Sequence, residues 1–289
     1  MSRELSVVSD VFLLMEPDTH DSRLTTHVSP VKCPIFAAMQ YTLKKSLGQH
    51  FLRDESICKQ IVAALQEDPF ERLVEVGPGG GALTKYLLPL TGIDFKAVEL
   101  DDEKVLYLEK IYPAIKGKII HESILDIDPP FAEQFTVVGN FPYNISSQIL
   151  FKVLNWKAQV PVMIGMFQKE VAKRIVSNPG SKVYGILSVL VQAFYEVEYL
   201  FDVPPTSFDP PPKVMSGMIR LKRKKESLVI QSEKHLTLLV KAAFNQRRKM
   251  LRNAVRGLFD ETVLQDEIFN KRAEQLSIQQ FGELTFRMR

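Results

Sequence analysis

Cysteine is almost missing from this chain: only Cys33 and Cys58 occur in 289 residues, and neither belongs to a pair with metal-ligand spacing. A disulfide framework and a structural zinc site are therefore not expected to organise the fold. The five histidines are scattered, so no metal centre is predicted from them. No run of about 18 apolar residues occurs, which argues against a membrane-spanning helix. The first 38 residues lack the marks of a targeting segment. They set three basic residues (Arg3, Arg23, Lys32) against five acidic ones (Glu4, Asp10, Glu16, Asp18, Asp21), and Asp10 interrupts their apolar stretch VVSDVFLLM. A secretory signal needs a longer apolar core led by basic residues, and an organellar transit segment is poor in acids. Residues 1–38 are expected to be a disordered extension or the result of an upstream start codon, and the protein to work in the cytoplasm. With 45% hydrophobic and 25% charged residues, the chain has enough apolar material for a large core and enough length for two domains.

The most informative run that is present is VVGNFPYNIS, residues 137–146. Val137 and Val138 end at Gly139, as a strand does when it empties into a cleft. Asn140, Phe141, Pro142 and Tyr143 follow. A planar exocyclic amine, such as that of adenine, attacks poorly because its lone pair is delocalised into the ring. Two acceptors that take its two hydrogens turn the lone pair outward. The Asn140 side-chain carbonyl and the backbone carbonyl of Phe141 or Pro142 are suited to that task. Pro142 fixes its own φ and biases Phe141 towards an extended conformation, while Tyr143 offers a face on which a base can stack. A plain proline turn with a core tyrosine uses the same letters, so this run needs support from elsewhere.

Support comes from LVEVGPGGGALT, residues 73–84, an apolar strand that runs into Gly77, Gly79 and Gly81 and then into helical spacing. Gly77 permits a tight turn, and Gly79 and Gly81 let a ligand approach the backbone. The strand-like DFKAVEL then ends with Glu99 at its tip, where a carboxylate is placed to accept both hydroxyls of a ribose. These features fit any nucleoside-bearing cofactor, and Gly77, Gly79 and Ala82 satisfy a dinucleotide fingerprint. NAD needs a seat for its pyrophosphate and a hydride acceptor, for which no candidate is found. S-adenosylmethionine carries no phosphate and suits a chain with an amine-holding loop at its fourth strand.

Strand-like and helix-like pieces alternate from about Leu43 to Phe201: LVEV, DFKAVEL, KIIHES, TVVGN and PVMIGMF, with helices to about Leu90, from Asp101 to Ile111, to Trp156 and to Ser177. Such alternation predicts a parallel α/β sheet with both proposed sites at the C-terminal strand ends. NPGSKVYG and the proline-rich FDVPPTSFDPPPKV read as loops, the second leading to a last strand, MSGMIRL. Phe208, held by proline neighbours, is a candidate to stack on the target base opposite Tyr143. From Lys213 to Arg256 there are thirteen Lys and Arg against two acids, Glu226 and Glu233. They cluster in RLKRKK and NQRRKMLRNAVR, which suits phosphate contacts and marks Lys222, Arg223, Arg247, Arg248 and Arg252 as RNA-binding candidates. Apolar faces over Leu236–Phe244 and Leu251–Leu258 predict two helices, with Arg247 and Arg248 presented outward at their junction. The expected layout is an extension over 1–38, a catalytic domain over 39–212, and a last strand with a small helical docking domain over 213–289.

KKSLGQHFL (44–52), VEVGPGGGALT, VELD (98–101), GNFPYNIS, FDPPPKVMS (208–216) and FNQRRKMLRN (244–253) resemble, in order and spacing, the bacterial 16S rRNA adenine dimethyltransferases of the KsgA family. The resemblance implies a class I, Rossmann-like methyltransferase domain with a small C-terminal helical domain. It implies S-adenosylmethionine as cofactor and dimethylation of the exocyclic amines of two adjacent adenines in a small-subunit rRNA hairpin. By the same resemblance, His50 and Leu52 touch the cofactor, Gly77 and Gly79 form its floor, Glu99 binds its ribose, and Asn140 holds the target amine. His50 stands where the family usually has Asn. Ser123 stands where it usually has Asp beside the cofactor adenine, with Glu122 and Asp126 as alternatives for that contact. The protein is expected to act on small-subunit rRNA as a monomer without a metal. Three other readings share part of these motifs: a 23S rRNA adenine methyltransferase conferring antibiotic resistance, a DNA adenine methyltransferase, and a non-catalytic ribosome assembly factor.

Overall fold

The computed structural model describes residues 50–226 and 228–289; the expected extension over 1–38 and residues 44–49 of KKSLGQHFL lie outside them. The described residues begin with β1 (Phe51–Leu52) and α1 (Glu55–Gln66), the helix capped by the Asp54 carboxylate, which accepts from the backbone N–H of Ser56 and Ile57. Then come β2 (Arg72–Val76), α2 (Thr84–Leu87), β3 (Asp94–Val98), α3 (Asp102–Ile111), β4 (Ile119–Ile120), β5 (Thr136–Asn140), α4 (Ser146–Asn155), β6 (Val162–Gln168) and α5 (Lys169–Val176). After these lie α6 (Ile186–Gln192), β7 (Tyr195–Val203), β8 (Phe208–Asp209) and β9 (Ser216–Arg223). The helical tail holds α7 (Glu233–Asn245), α8 (Leu251–Ala254), short 3-10 turns and α9 (Ile278–Thr285).

Seven strands form one sheet in the order β4-β3-β2-β5-β6-β9-β7, and β9 runs antiparallel to both β6 and β7. The pairs β2–β3, β2–β5, β3–β4 and β5–β6 are parallel. β2 and β5 are buried along all but one residue each, as expected of strands covered on both faces. Their neighbours diverge on either side of the sheet centre, and the C-terminal ends of β2, β3 and β5 open on the same edge, which is where such sheets bind ligands. A separate two-stranded ribbon joins β1 to β8, with Phe51 opposite Asp209 and Leu52 opposite Phe208.

Among the described residues, two apolar clusters stand out. One lies about the sheet and includes Val74, Val137, Phe141, Ile149, Phe167, Leu187 and Val191. The other is built from the helical tail, with Leu239, Phe259 and Phe281, together with Tyr184, Val189, Leu190 and Ala193. Helix α6 contributes to both. The predicted helix over Leu251–Leu258 is shorter than expected: α8 is four residues long and gives way to a 3-10 turn over Arg256–Leu258.

Candidate active site

The glycine loop follows β2 directly. Gly77, Gly79 and Gly81 have φ of 67°, 55° and 79°, a region costly for any residue with a Cβ, so glycine is required by the backbone as well as by ligand approach. Glu99, the residue after β3, binds this loop. Its Oε2 accepts from the Gly79 N–H at 3.1 Å, and Oε1 accepts from Leu100 N–H at 2.9 Å and Asp101 N–H at 3.0 Å. Only 8% of the residue is exposed, and burial raises the carboxyl above its ordinary range against the opposing pull of those three bonds. A carboxylate held at a strand tip beside positive-φ glycines is a cradle that fits a nucleoside with two ribose hydroxyls.

Glu75 was not among the residues singled out from sequence. It lies within β2 with 1% exposure, and the Thr84 hydroxyl donates to its Oε2 at 2.7 Å. Burial pushes it up to about 8, with the Glu99 charge adding to the effect and the Thr84 bond opposing it. An acid inside the apolar run LVEVG was the available signal.

The amine-holding loop adjoins the glycine loop. A Cβ built on Gly77 would meet Pro142 Cδ at 3.8 Å, so the two loops lie side by side. Asn140 ends β5, and its Nδ2 donates to the backbone carbonyl of His50 at 3.0 Å. That bond fixes which end of the amide is nitrogen and makes Oδ1 the end that a target amine can meet. Phe141 is a plug: 1% exposed, it fills the space left by Gly139 and Gly165 and sits edge-on to Phe167 at 5.5 Å. Only its backbone carbonyl remains as an acceptor for substrate. The Tyr143 hydroxyl is bonded to the Ser216 hydroxyl, and its ring lies 5.5 Å from the His50 ring at 31°.

Sequence expectations for the N-terminal segment are redistributed. His50 sits against Tyr143, and its Nδ1 lies 2.9 Å from the Pro210 carbonyl. A carbonyl only accepts, so Nδ1 carries the hydrogen. Leu52 is 4% exposed opposite Phe208 in the ribbon. It is Phe51, between them, that packs on the glycine loop: a Cβ on Gly79 would meet its ring at 2.9 Å. Strand alternation explains the split, since neighbouring side chains point to opposite faces. Phe208, expected opposite Tyr143, is 4% exposed and supports β1, so its ring is not open to a base in this structure. Ser123 is half-buried in the turn after β4, where its Oγ accepts from Leu125 N–H at 3.2 Å; Glu122 and Asp126 are exposed.

The basic residues also divide. Arg247 does not face outward as expected: it is half-buried, donates to the Ser181 carbonyl at 3.1 Å and lies 3.7 Å from Glu274. Arg252 is half-buried and bonded to the Asn270 side chain. Lys222 pairs with Asp68 at 2.9 Å, and Arg223 donates to the Lys157 carbonyl at 2.7 Å. Arg248 and Lys249 are exposed at the turn after α7. Among the described residues no group of three or more His, Cys, Asp or Glu is placed to hold a metal, and no helix is long and apolar enough to cross a membrane.

The family model for ribosomal RNA adenine dimethylase matches residues 40–285. The chain belongs to this family. The ribosomal RNA small subunit methyltransferase A of Cytophaga hutchinsonii is 49% identical over 246 residues, which cover 84% of this chain and 95% of that protein. The protein of the same name from Parabacteroides distasonis is 51% identical over 248 residues, covering 84% and 92%. A dimethyladenosine transferase from Plasmodium falciparum has a similar structure, with a TM-score of 0.71 and 25% identity over 80% of this chain and 94% of that one. The 23S rRNA methyltransferase ErmE, with a TM-score of 0.62 and 23% identity over 82% and 99% of the two chains, shares the fold. The fold is that of class I S-adenosylmethionine-dependent methyltransferases, and the protein is an enzyme of this adenine dimethylase class.

Proposed function

We infer that this enzyme transfers methyl groups from S-adenosylmethionine to the exocyclic amines of two adjacent adenines in a hairpin of small-subunit (16S) rRNA, as a step in making the small ribosomal subunit. The observation that carries the reading is the contact of two loops: Gly77 of the glycine loop faces Pro142 of the amine loop, so a donor held on one meets an amine held on the other. When bound, the cofactor supplies an electrophilic methyl on a sulfonium sulfur. Glu99 accepts from the ribose hydroxyls, with the loop it already braces as the floor. The target base leaves its helix and stacks on Tyr143. Asn140 Oδ1 and a backbone carbonyl of Phe141 or Pro142 take the two amine hydrogens, which points the nitrogen lone pair at the methyl. With the cofactor bound, the nitrogen so oriented would take the methyl as its bond to sulfur breaks, leaving S-adenosylhomocysteine, and the contribution of these residues lies in orientation. The methylated nitrogen is acidic in its cationic form and sheds its proton to water, so no strong base is required. The protein acts as a cytoplasmic monomer on rRNA.

Asn140→Ala tests the reading on small subunits lacking the modification. Loss of one acceptor falls mainly in the transition state, so kcat drops by about two orders of magnitude or more while rRNA affinity holds. Near-normal turnover would sink the amine-holding mechanism, and label appearing in the large subunit would reassign the substrate.

A further inference from the structure

We propose that Ser216 is a positioning residue for methyl transfer: bonded to the Tyr143 hydroxyl, it holds in place the ring on which the target adenine stacks. The proposal rests on the function inferred above and adds a residue to it.

Ser216 is the first residue of β9 and is fully buried. It pairs with Gln168 of β6 on one side and Val203 of β7 on the other, so its backbone is held from both flanks. Tyr143 stands on a turn, secured by two bonds through the backbone: Ile145 N–H to the Pro142 carbonyl at 3.2 Å, and the Ser146 hydroxyl to the Tyr143 carbonyl at 3.1 Å. Neither of these restrains the ring. A tyrosine side chain has two soft torsions; a bond at the far end of the ring holds χ1, which places the ring, while rotation about the ring's long axis is limited by the His50 ring 5.5 Å away. Ser216 supplies that bond from the sheet. The contrast with Tyr195 is informative: this fully buried tyrosine spends its hydroxyl on a backbone carbonyl, Val160, at 2.8 Å. Tyr143, half-buried at the mouth of the site, is tied instead to a side chain that substitution can remove.

The placement of a hydroxyl at Ser216 also asks for a reason. Gly217, Met218, Ile219 and Leu221 around it are buried, and a hydroxyl in such a setting costs free energy unless it is bonded. Its side-chain partner is Tyr143. The same segment is anchored a second time, through Pro210 to His50, and His50 lies against the Tyr143 ring. The stretch from Pro210 to Ser216 therefore restrains the ring by its hydroxyl and, through His50, by the ring packed beside it.

The test compares Ser216→Ala, Tyr143→Phe, the double variant and Ser216→Thr on small subunits, with 2-aminopurine at the target position of a hairpin as a stacking probe. Each single variant is expected to lower kcat by roughly tenfold, the size of one lost hydrogen bond, with KM for S-adenosylmethionine and rRNA affinity unchanged. The double variant is expected to be no worse than either single, because both remove the same bond. Ser216→Thr keeps the hydroxyl and restores activity, and quenching of 2-aminopurine weakens in Ser216→Ala. Wild-type kcat in Ser216→Ala, or losses that multiply in the double variant, overturns the proposal. Should Ser216→Ala not fold, Tyr143→Phe breaks the same bond from the other end, and wild-type kcat there overturns it too. Absence of label in the small subunit with the wild-type enzyme would sink the inferred function itself, whereas a labelled small subunit and an inactive Asn140→Ala beside a fully active Ser216→Ala remove only Ser216.

Discussion

The Glu99 carboxylate, proposed to bind ribose, is already bonded to the backbone. Expected from sequence to be an accessible ribose ligand at a strand tip, it is 8% exposed, accepts from the Gly79 N–H of the glycine loop and caps the Leu100 and Asp101 N–H groups that follow it. Glu99→Ala should therefore weaken cofactor binding and also lower the melting temperature, since it leaves buried donors unpaired at about 1–3 kcal/mol. Glu99→Gln keeps an acceptor and should lose cofactor affinity by about tenfold or more with a smaller change in melting. Calorimetry with unaltered affinity in both variants would remove Glu99 from the site. The bends at Gly77, Gly79 and Gly81 and the places of Glu99 and Asn140 at strand ends were legible, because a positive φ demands glycine and apolar periodicity marks where strands stop. The placement of His50, Leu52 and Phe208 was not, because a two-residue strand decides which side chain faces which loop, and that pairing joins residues about 160 positions apart.

Among the elements, β2 carries its own titration. Glu75 is raised to about 8 in the fold from an ordinary 4.5. Its proton is bound more tightly in the native state, so its stabilising contribution is full below about 4.5 and is lost as pH rises through about 8. Denaturant midpoints should fall from pH 5.5 to pH 8.5 with a slope of up to one proton, and Glu75→Gln should flatten that fall. An identical profile in the variant would show that Glu75 is ionised throughout. The turn after α7 makes a second element-level prediction. Arg247 and Arg252 are engaged by Ser181, Glu274 and Asn270, so their replacement should cost stability more than RNA affinity. Changing exposed Arg248 and Lys249 to Gln should flatten the salt dependence of log affinity for small-subunit rRNA by about 0.7–0.9 per lost contact. An unchanged slope would move the docking surface elsewhere. Charge density in NQRRKMLRN was readable; which cations fold back onto the protein was not. Likewise β3, α3, α4 and β6 follow from periodicity and caps, whereas α6 did not stand out. Its ILSVLVQ is apolar on nearly every side because it faces two clusters at once.

At the scale of the molecule, that shared helix couples the sheet to the helical tail. The tail's cluster is completed by Tyr184, Val189, Leu190 and Ala193, which precede β7 in the chain. A fragment of residues 224–289 lacks all four and should stay largely unfolded by circular dichroism, while the whole protein should unfold in one transition monitored by either region. Two separated transitions, or a folded fragment, would show that the tail is an independent unit.

The ties around Tyr143 also set an order of events during synthesis. Asn140 and Tyr143 leave the ribosome well before Ser216, which follows Tyr143 by 73 residues, and before Pro210, which follows His50 by 160. A growing chain can thus finish its glycine loop and its amine loop and still hold a tyrosine whose ring swings freely. If Ser216 positions that ring as proposed, the grip on a base would come only when β9 is laid into the sheet, and a chain stopped short of β9 would hold both loops without it.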